Sequence, residues 1–361
     1  MTDPRPRRRE ALIRLLEEQG LDGLVVDGGS NIRYLTGFTG SSALVLAARQ
    51  RTVLVTDFRY ATQAPAETGS AVDVRIERAD VREGLRQSIG ALGLRRVGFD
   101  RGTTTIAGLE ALREQGGVDW VATTGLVAKL RIAKDAVEIA AVREAVRLAL
   151  EALEAVIPFI RVGRTELDIA AELEAALRRR GSEWHPFQSI VAAGPRSALP
   201  HARSTARAVA PGELLVVDFG AQVDGYCSDI TRTFVVGRAP DDRQREVYGV
   251  VQQAQARALG GLRAGMSGRE ADSLAREPIA RAGMGEAFGH SLGHGLGLEV
   301  HEEPRLSQRN EGLLPAGAVV TVEPGVYFEG WGGVRIEDDA VLRPDGAERL
   351  SGDSNDLVSL T

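Results

Sequence analysis

An α/β domain followed by an α+β domain is the architecture expected of this chain, on three observations. Strand and helix patterns alternate over the first third. Near residue 125 the texture changes to long Ala/Glu/Arg-rich helical stretches, and two apolar strand–turn–strand units beyond it each carry paired acids. With 361 residues, two domains are the natural division, 1–125 and 126–361. In the first, Arg7–Glu18 has helical periodicity that Gly20 stops. Gly23–Val26 is an expected strand, followed by the turn Asp27-Gly28-Gly29-Ser30-Asn31. Further strands are expected at Ala43–Ala47, Val53–Thr56, Val72–Ile76 and Val97–Asp100, with a helix near Val81–Leu92. In the second domain, Lys134–Val156 is a long helix and Thr165–Arg180 another, with Thr165 as its N-cap. Strands and glycine-turn hairpins follow, broken by a helix near Asp242–Leu259.

Composition narrows the function. A net charge of −6 gives no basic footprint for nucleic acid. No run reaches the ~18 apolar residues of a membrane span, and the basic start lacks the apolar core of a secretion signal. Cys227 stands alone, so no internal disulfide forms, and a cytoplasmic setting is expected. Lys129 and Lys134 are the only lysines, and neither follows a phosphate-binding glycine loop.

The acids carry the chemistry. Leu214–Gly220 and Tyr226–Phe234 flank Asp224-Gly225, a two-residue hairpin signal. With 223 paired to 226, Asp229 faces Gly220, and Asp218 becomes its diagonal neighbour on the same face. Like charges ~4 Å apart cost ~4 kcal/mol at an effective dielectric of ~20, so convergence needs a counter-charge. An arginine such as Arg232 is the plain answer for one pair. A second pair changes the weighing: Val319–Glu323 ends in a carboxylate, and after Gly330-Trp331-Gly332-Gly333 the return strand places Arg335, Glu337 and Asp339 on one face. This looks like a distant internal duplication. Two divalent cations would neutralise four such carboxylates, and oxygen-rich ligands favour metals such as manganese.

Three of the five histidines fall in Phe288–Pro304: His290, His294 and His301. The interspersed glycines disfavour a helix and let imidazoles approach a site closely. Gly289-His290-Ser291-Leu292-Gly293 also fits the serine nucleophile elbow, but no histidine follows His301 to complete a triad in the required order. H-E-x-x-H and the dinucleotide glycine fingerprint are absent. Cys227 and His185 receive structural readings.

In order, Asp218, Asp229, His294, Glu323 and Glu337 resemble the five metal ligands of the pita-bread dinuclear metallopeptidases, the family of methionine aminopeptidase, aminopeptidase P and prolidase. The resemblance spans about residues 125–361, and no ligand is missing. Relatives that became creatinases or histone-binding modules lose these ligands, so a non-catalytic peptide-binding module is the remote alternative. The segment Asn31–Phe38 resembles the creatinase-type N-terminal domain of the proline-specific branch, and Ser197–His201 and Val300-His301-Glu302 resemble its substrate-histidine motifs. Asp57-Phe58-Arg59-Tyr60 is similar to a motif of small bacterial aminopeptidases P. The resemblance therefore implies an α/β creatinase N-terminal-like domain, a pita-bread catalytic domain with an internal pseudo-twofold, and Xaa-Pro aminopeptidase activity, with prolidase as the alternative. It implies two Mn²⁺ ions (Co²⁺ or Zn²⁺ as alternatives) bridged by the attacking hydroxide. Asp218 would chelate one ion, His294 and Glu323 the other, and Asp229 and Glu337 would bridge both. Glu323 would also shuttle the proton, with His290 and His301 contacting the reacting peptide. His201, Arg335, Arg59 and Tyr60 are the expected substrate-binding residues. The partners expected are peptides with proline second, and the chain itself as a homo-oligomer.

Overall fold

The computed structural model describes residues 3–114, 116–352 and 355–361. They form two compact units, divided between Arg131 and Ile132. The boundary expected after residue 125 thus lies beyond helix Leu126–Arg131. That helix stays with the first unit because Tyr34 Oη donates to the Leu130 carbonyl (3.0 Å) and Arg131 Nη1 to Asn31 Oδ1 (2.8 Å).

The first unit is built on a six-stranded mixed sheet of β1 (Gly23–Val26), β2 (Ala43–Ala48), β3 (Thr52–Asp57), β4 (Asp73–Glu77), β5 (Arg96–Asp100) and β6 (Asp119–Thr123), in the order β4-β3-β2-β1-β5-β6. Val25, Leu46 and Val97 of the sheet pack with Leu85 and Ile89 of helix Val81–Ala91. The turn expected at Asp27–Asn31 is shorter than the sequence suggested: Gly28, at φ 86°, makes it, and Gly29–Thr36 is already helical until left-handed Gly37 ends the helix.

In the second unit the order long helix, shorter helix, hairpin occurs twice. Helices Ala136–Val156 and Glu166–Arg179 precede β7 (Ile190–Ala193), β8 (Glu213–Phe219), β9 (Gln222–Val223), β10 (Tyr226–Cys227) and β11 (Ile230–Val236). Helices Asp242–Gly261 and Gly268–Arg281 precede β12 (Gly293–Gly295), β13 (Glu302–Leu306), β14 (Val319–Val322), β15 (Gly325–Phe328), β16 (Gly332–Arg335), β17 (Asp338–Arg343), β18 (Gly346–Arg349) and β19 (Val358–Leu360). Capping boxes start all four helices: Asp135 with Glu138, Thr165 with Asp168, Asp241 with Gln244, and Ser267 with Glu270. Helix Gly268–Arg281 was not expected, although Ser267–Glu270 carries the S-x-x-E signature.

Both hairpins take registers that aim acids at one place. Thr231 faces Asp218 and Ile230 faces Phe219, and the same register reaches Tyr226–Val223 around Asp224 and Gly225, both at positive φ. In the second hairpin, Val322 faces Asp338 and Gly325 faces Arg335, so one register runs through the break between β14 and β15 and sets Glu323 opposite Glu337. A Thr231–Glu337 bridge joins the hairpins. Behind them, Val247, Val251 and Ala258 of helix Asp242–Gly261 pack with Val320, Val334, Ile336 and Ala340. Among the described residues, no helix is long and apolar enough to cross a membrane.

Ser267→Ala removes one cap. It should cost about 1 kcal/mol and lower the apparent Tm by roughly 2–4 °C in a thermal scan; an unchanged Tm would show that this box does not stabilise the helix.

Candidate metal centre

Asp218 is the penultimate residue of β8, whereas Asp229 precedes β11, Glu323 follows β14 and Glu337 precedes β17, so three of the four carboxylates stand just outside the paired strands. His294, in the middle of β12, completes the group. Its Nε2 lies 3.4 Å from Glu323 Oε1 and 3.7 Å from Asp229 Oδ2. Ligand atoms of Asp229, His294 and Glu337 all lie within 4.8 Å of one another. The glycines flanking His294 are needed for this approach. A Cβ at Gly293 would sit 2.0 Å from the Thr321 carbonyl oxygen, and one at Gly295 2.2 Å from that of Glu303.

The neighbours aim these ligands. Thr231 Oγ1 donates to Glu337 Oε2 (2.6 Å) and Thr321 Oγ1 to Glu323 Oε1 (3.2 Å). The Asp229 amide donates to Asp339 Oδ2 (3.1 Å). His294 Nδ1 donates to the Gly295 carbonyl (3.1 Å), which fixes the tautomer and leaves the Nε2 lone pair facing the carboxylates. Arg335 Nη2 donates to Asp218 Oδ2 (2.6 Å), while the buried Asp218 Oδ1 has no hydrogen-bond partner among the described residues. Arg232, the arginine considered as a partner for the aspartates, instead pairs with Asp338 (2.9 Å) and donates to the Glu337 carbonyl (2.7 Å).

The protein alone leaves this group out of electrostatic balance. Burial, then the Glu337, Asp218 and Glu323 charges, push Asp229 well above the usual carboxylate range. Glu337 is pushed up by burial and by Glu323 and Asp218. Glu323 rises to about 7, through burial foremost. Burial lowers His294 to about 3, so its imidazole is neutral and free to ligate. Four converging carboxylates with one guanidinium, an unpartnered carboxylate oxygen and an aimed imidazole lone pair suit divalent cations.

These residues line a cavity of about 410 Å³ together with His201, Arg203, His290, His301, Arg305, Arg335, Phe187, Ile190 and Val300. Thus every expected site residue of the second unit meets in one place. His290 Nδ1 donates to the Ser291 carbonyl (2.8 Å), and its Nε2 accepts from Tyr327 Oη (3.0 Å), which itself accepts from Arg335 Nη1 (2.8 Å). Burial lowers His290 to about 4. The His301 ring lies 4.4 Å from that of His294. Arg59 and Tyr60 are satisfied inside the first unit: Arg59 pairs with Asp57 (2.8 Å), and Tyr60 meets Ser41 (2.8 Å) and the Phe38 ring. Cys227 is buried, its thiol pushed up to about 12 by desolvation, and His185 stacks on Trp184. Thr231, Thr321, Tyr327 and Asp339 escaped the sequence reading as supports of the site. Asp339 alone carried a signal, its place on the face of Arg335 and Glu337.

Paired acids and an imidazole on duplicated hairpins define a metal-dependent hydrolase. The chain belongs to metallopeptidase family M24, whose pattern matches residues 140–344, and the Creatinase/Prolidase N-terminal domain matches residues 8–133. Peptidases of that family are dinuclear metal enzymes. The chain is 35% identical over 354 residues to the Xaa-Pro dipeptidase of Pyrococcus furiosus, covering 97% of this chain and 99% of the relative. The solved Xaa-Pro dipeptidase from Bacillus anthracis is 39% identical, with a TM-score of 0.95 over 99% of this chain and all of the other. The X-Pro aminopeptidase from Thermotoga maritima is 38% identical, with a TM-score of 0.90 over 97% and 99% of the two chains. The fold is therefore the creatinase-type N-terminal domain with a pita-bread catalytic domain, and the protein is a peptidase of this family.

Gly293→Ala should leave the chain folded but move His294 off its neighbours. Metal analysis after manganese loading should show less metal than in the wild type; full occupancy would contradict the close-approach argument.

Proposed function

We propose that this protein is a manganese-dependent peptidase that cleaves the Xaa-Pro bond and prefers dipeptides. The observation that favours dipeptides is a pair of cations on the cavity wall. Arg203 and the half-buried Arg305 line it, and neither guanidinium has a carboxylate partner among the described residues. A dipeptide presents its free carboxylate just beyond the proline, whereas a longer peptide continues as neutral amide. Similarity to the Thermotoga maritima aminopeptidase and the Asp57–Tyr60 motif favour the second reading, aminopeptidase P.

Asp218, through Oδ1, together with Asp229, His294 through Nε2, Glu323 and Glu337, would hold two divalent ions. Bound there, the ions would supply Lewis acidity and an activated water. The chain's own groups do the rest. Glu323, partly exposed to the cavity, takes up the proton of the attacking water and passes it to the leaving proline nitrogen. His301 donates to the carbonyl oxygen as charge develops there, a kind of contact worth ~3–4 kcal/mol. His290, on the cavity wall, contacts the reacting peptide, its ring braced by the Tyr327 hydroxyl. His201, Phe187, Ile190 and Val300 wall the proline ring. Such a pocket is needed because an Xaa-Pro bond has no amide hydrogen for recognition.

Turnover of an Xaa-Pro dipeptide and of Xaa-Pro tripeptides under manganese tests this reading. The dipeptide should win, and Arg305→Ala should raise its KM roughly ten-fold or more, as expected for losing a charge-assisted hydrogen bond. A C-terminally amidated dipeptide should be insensitive to the substitution. Preference for tripeptides, with Arg305→Ala neutral, would establish aminopeptidase P instead.

A further inference from the structure

We propose that Asp272 and Arg276, on helix Gly268–Arg281, are positioning residues that set His290 against the substrate by gripping the backbone of its turn. The inference rests on the reading above only in taking His290 as a wall of the working cavity. Asp272 is wholly buried. Its Oδ2 accepts from Arg276 Nε (2.6 Å), and its Oδ1 accepts from Arg276 Nη2 (3.0 Å) and from the Leu292 amide (3.0 Å). Two more of its donors go to the same turn: Nη1 donates to the Phe288 carbonyl (2.9 Å), and Nη2 also donates to that of His290 (2.7 Å). It lies 4.2 Å from the centre of the Phe288 ring, which meets the His290 ring edge-on at 5.1 Å. Backbone groups at 288, 290 and 292 are thus fixed by one ion pair. The Leu292 carbonyl then accepts from the Glu323 amide (2.9 Å), tying the turn to the strand end that carries a proposed ligand.

An exposed pair at i,i+4 would be worth little. Here the carboxylate is out of water, so only a fully bonded arrangement is tolerable, and that arrangement has a single geometry. The other two cavity histidines are held in the same manner. Wholly buried Glu166 bonds Arg196 Nε (3.0 Å) and accepts from the Ala193 and Thr205 amides (2.9 and 3.0 Å), on either side of His201. Glu302, next to His301, pairs with buried Lys134 (3.1 Å) and accepts from the Glu299 amide (3.0 Å). Each imidazole comes from an irregular segment, and each segment is held from behind by an ion pair whose carboxylate is buried.

The test is a double-mutant cycle in the manganese-loaded full-length protein. Arg276→Met should lower kcat for the dipeptide roughly 10²-fold, the cost of misplacing a reacting group by ~1 Å, with KM and metal content unchanged. In a His290→Ala background the same change should cost less than roughly three-fold, because the groups act as one unit. Equal losses in both backgrounds, or loss of metal, would overturn the proposal. Histidine ring NMR signals of the zinc-loaded, diamagnetic protein supply a readout independent of turnover. Arg276→Met should shift His290 and leave His185 and His201 in place; an unmoved His290 signal would overturn positioning. A wild type that cleaves no Xaa-Pro bond, yet whose His290 signal moves, would remove the substrate reading alone. Should Arg276→Met not fold, Arg276→Lys takes its place: lysine keeps the charge but cannot span carboxylate and two carbonyls, so wild-type kcat in that variant would equally overturn the claim.

Discussion

Repulsion among buried carboxylates is the constraint around which the catalytic unit is arranged. Asp218, Asp229 and Glu337 are almost fully buried, Glu323 lies beside them, and among the described residues Arg335 is the one guanidinium that bonds to these carboxylates. Burial of like charges raises the proton affinity of Asp229, Glu323 and Glu337 together, so the unit as a protein alone is poised to take cations. Everything nearby opposes the relaxation that would otherwise separate the acids. Arg232 ties β11 to Asp338, the Asp229 amide is held by Asp339, and Gln255 and Asn355 close on Asp338 from the far side (2.6 and 2.8 Å).

The duplicated architecture is what makes such an arrangement reachable. A hairpin places two acids diagonally on one face, which by itself is a poor cation site. A second hairpin joined to it through the Thr231–Glu337 bridge supplies the other two, and the β12 strand slips an imidazole between them. The helices do not touch the chemistry. Their capped starts and apolar faces fix where the hairpins sit, and Gly268–Arg281 extends that service to the His290 turn.

Much of this was legible in the residues. The Asp224-Gly225 turn dictates the β8–β11 register, and that register alone predicts the convergence of Asp218 and Asp229. The glycine-spaced histidines announced close approach, and Gly293 and Gly295 are where the backbones meet. What stayed hidden acts across distance in the chain. Asp339 reaches Asp229 over 110 positions and Thr231 reaches Glu337 over 106, so no local pattern marks them. Helix Gly29–Thr36 was masked by the glycines that begin it, because the same residues that permit the φ 86° turn at Gly28 also read as loop. The domain boundary moved for a similar reason, since the contacts that keep Leu126–Arg131 with the first unit come from Asn31 and Tyr34.

The N-terminal unit and the catalytic unit thus carry different information. The first matches the Creatinase/Prolidase N-terminal domain, and the second holds the candidate metal centre. Anomalous diffraction from crystals grown with manganese addresses the core of this account most directly. Two peaks enclosed by Asp218, Asp229, His294, Glu323 and Glu337 are the result it requires. Peaks elsewhere, or carboxylates turned apart with protons or arginines between them, would contradict it.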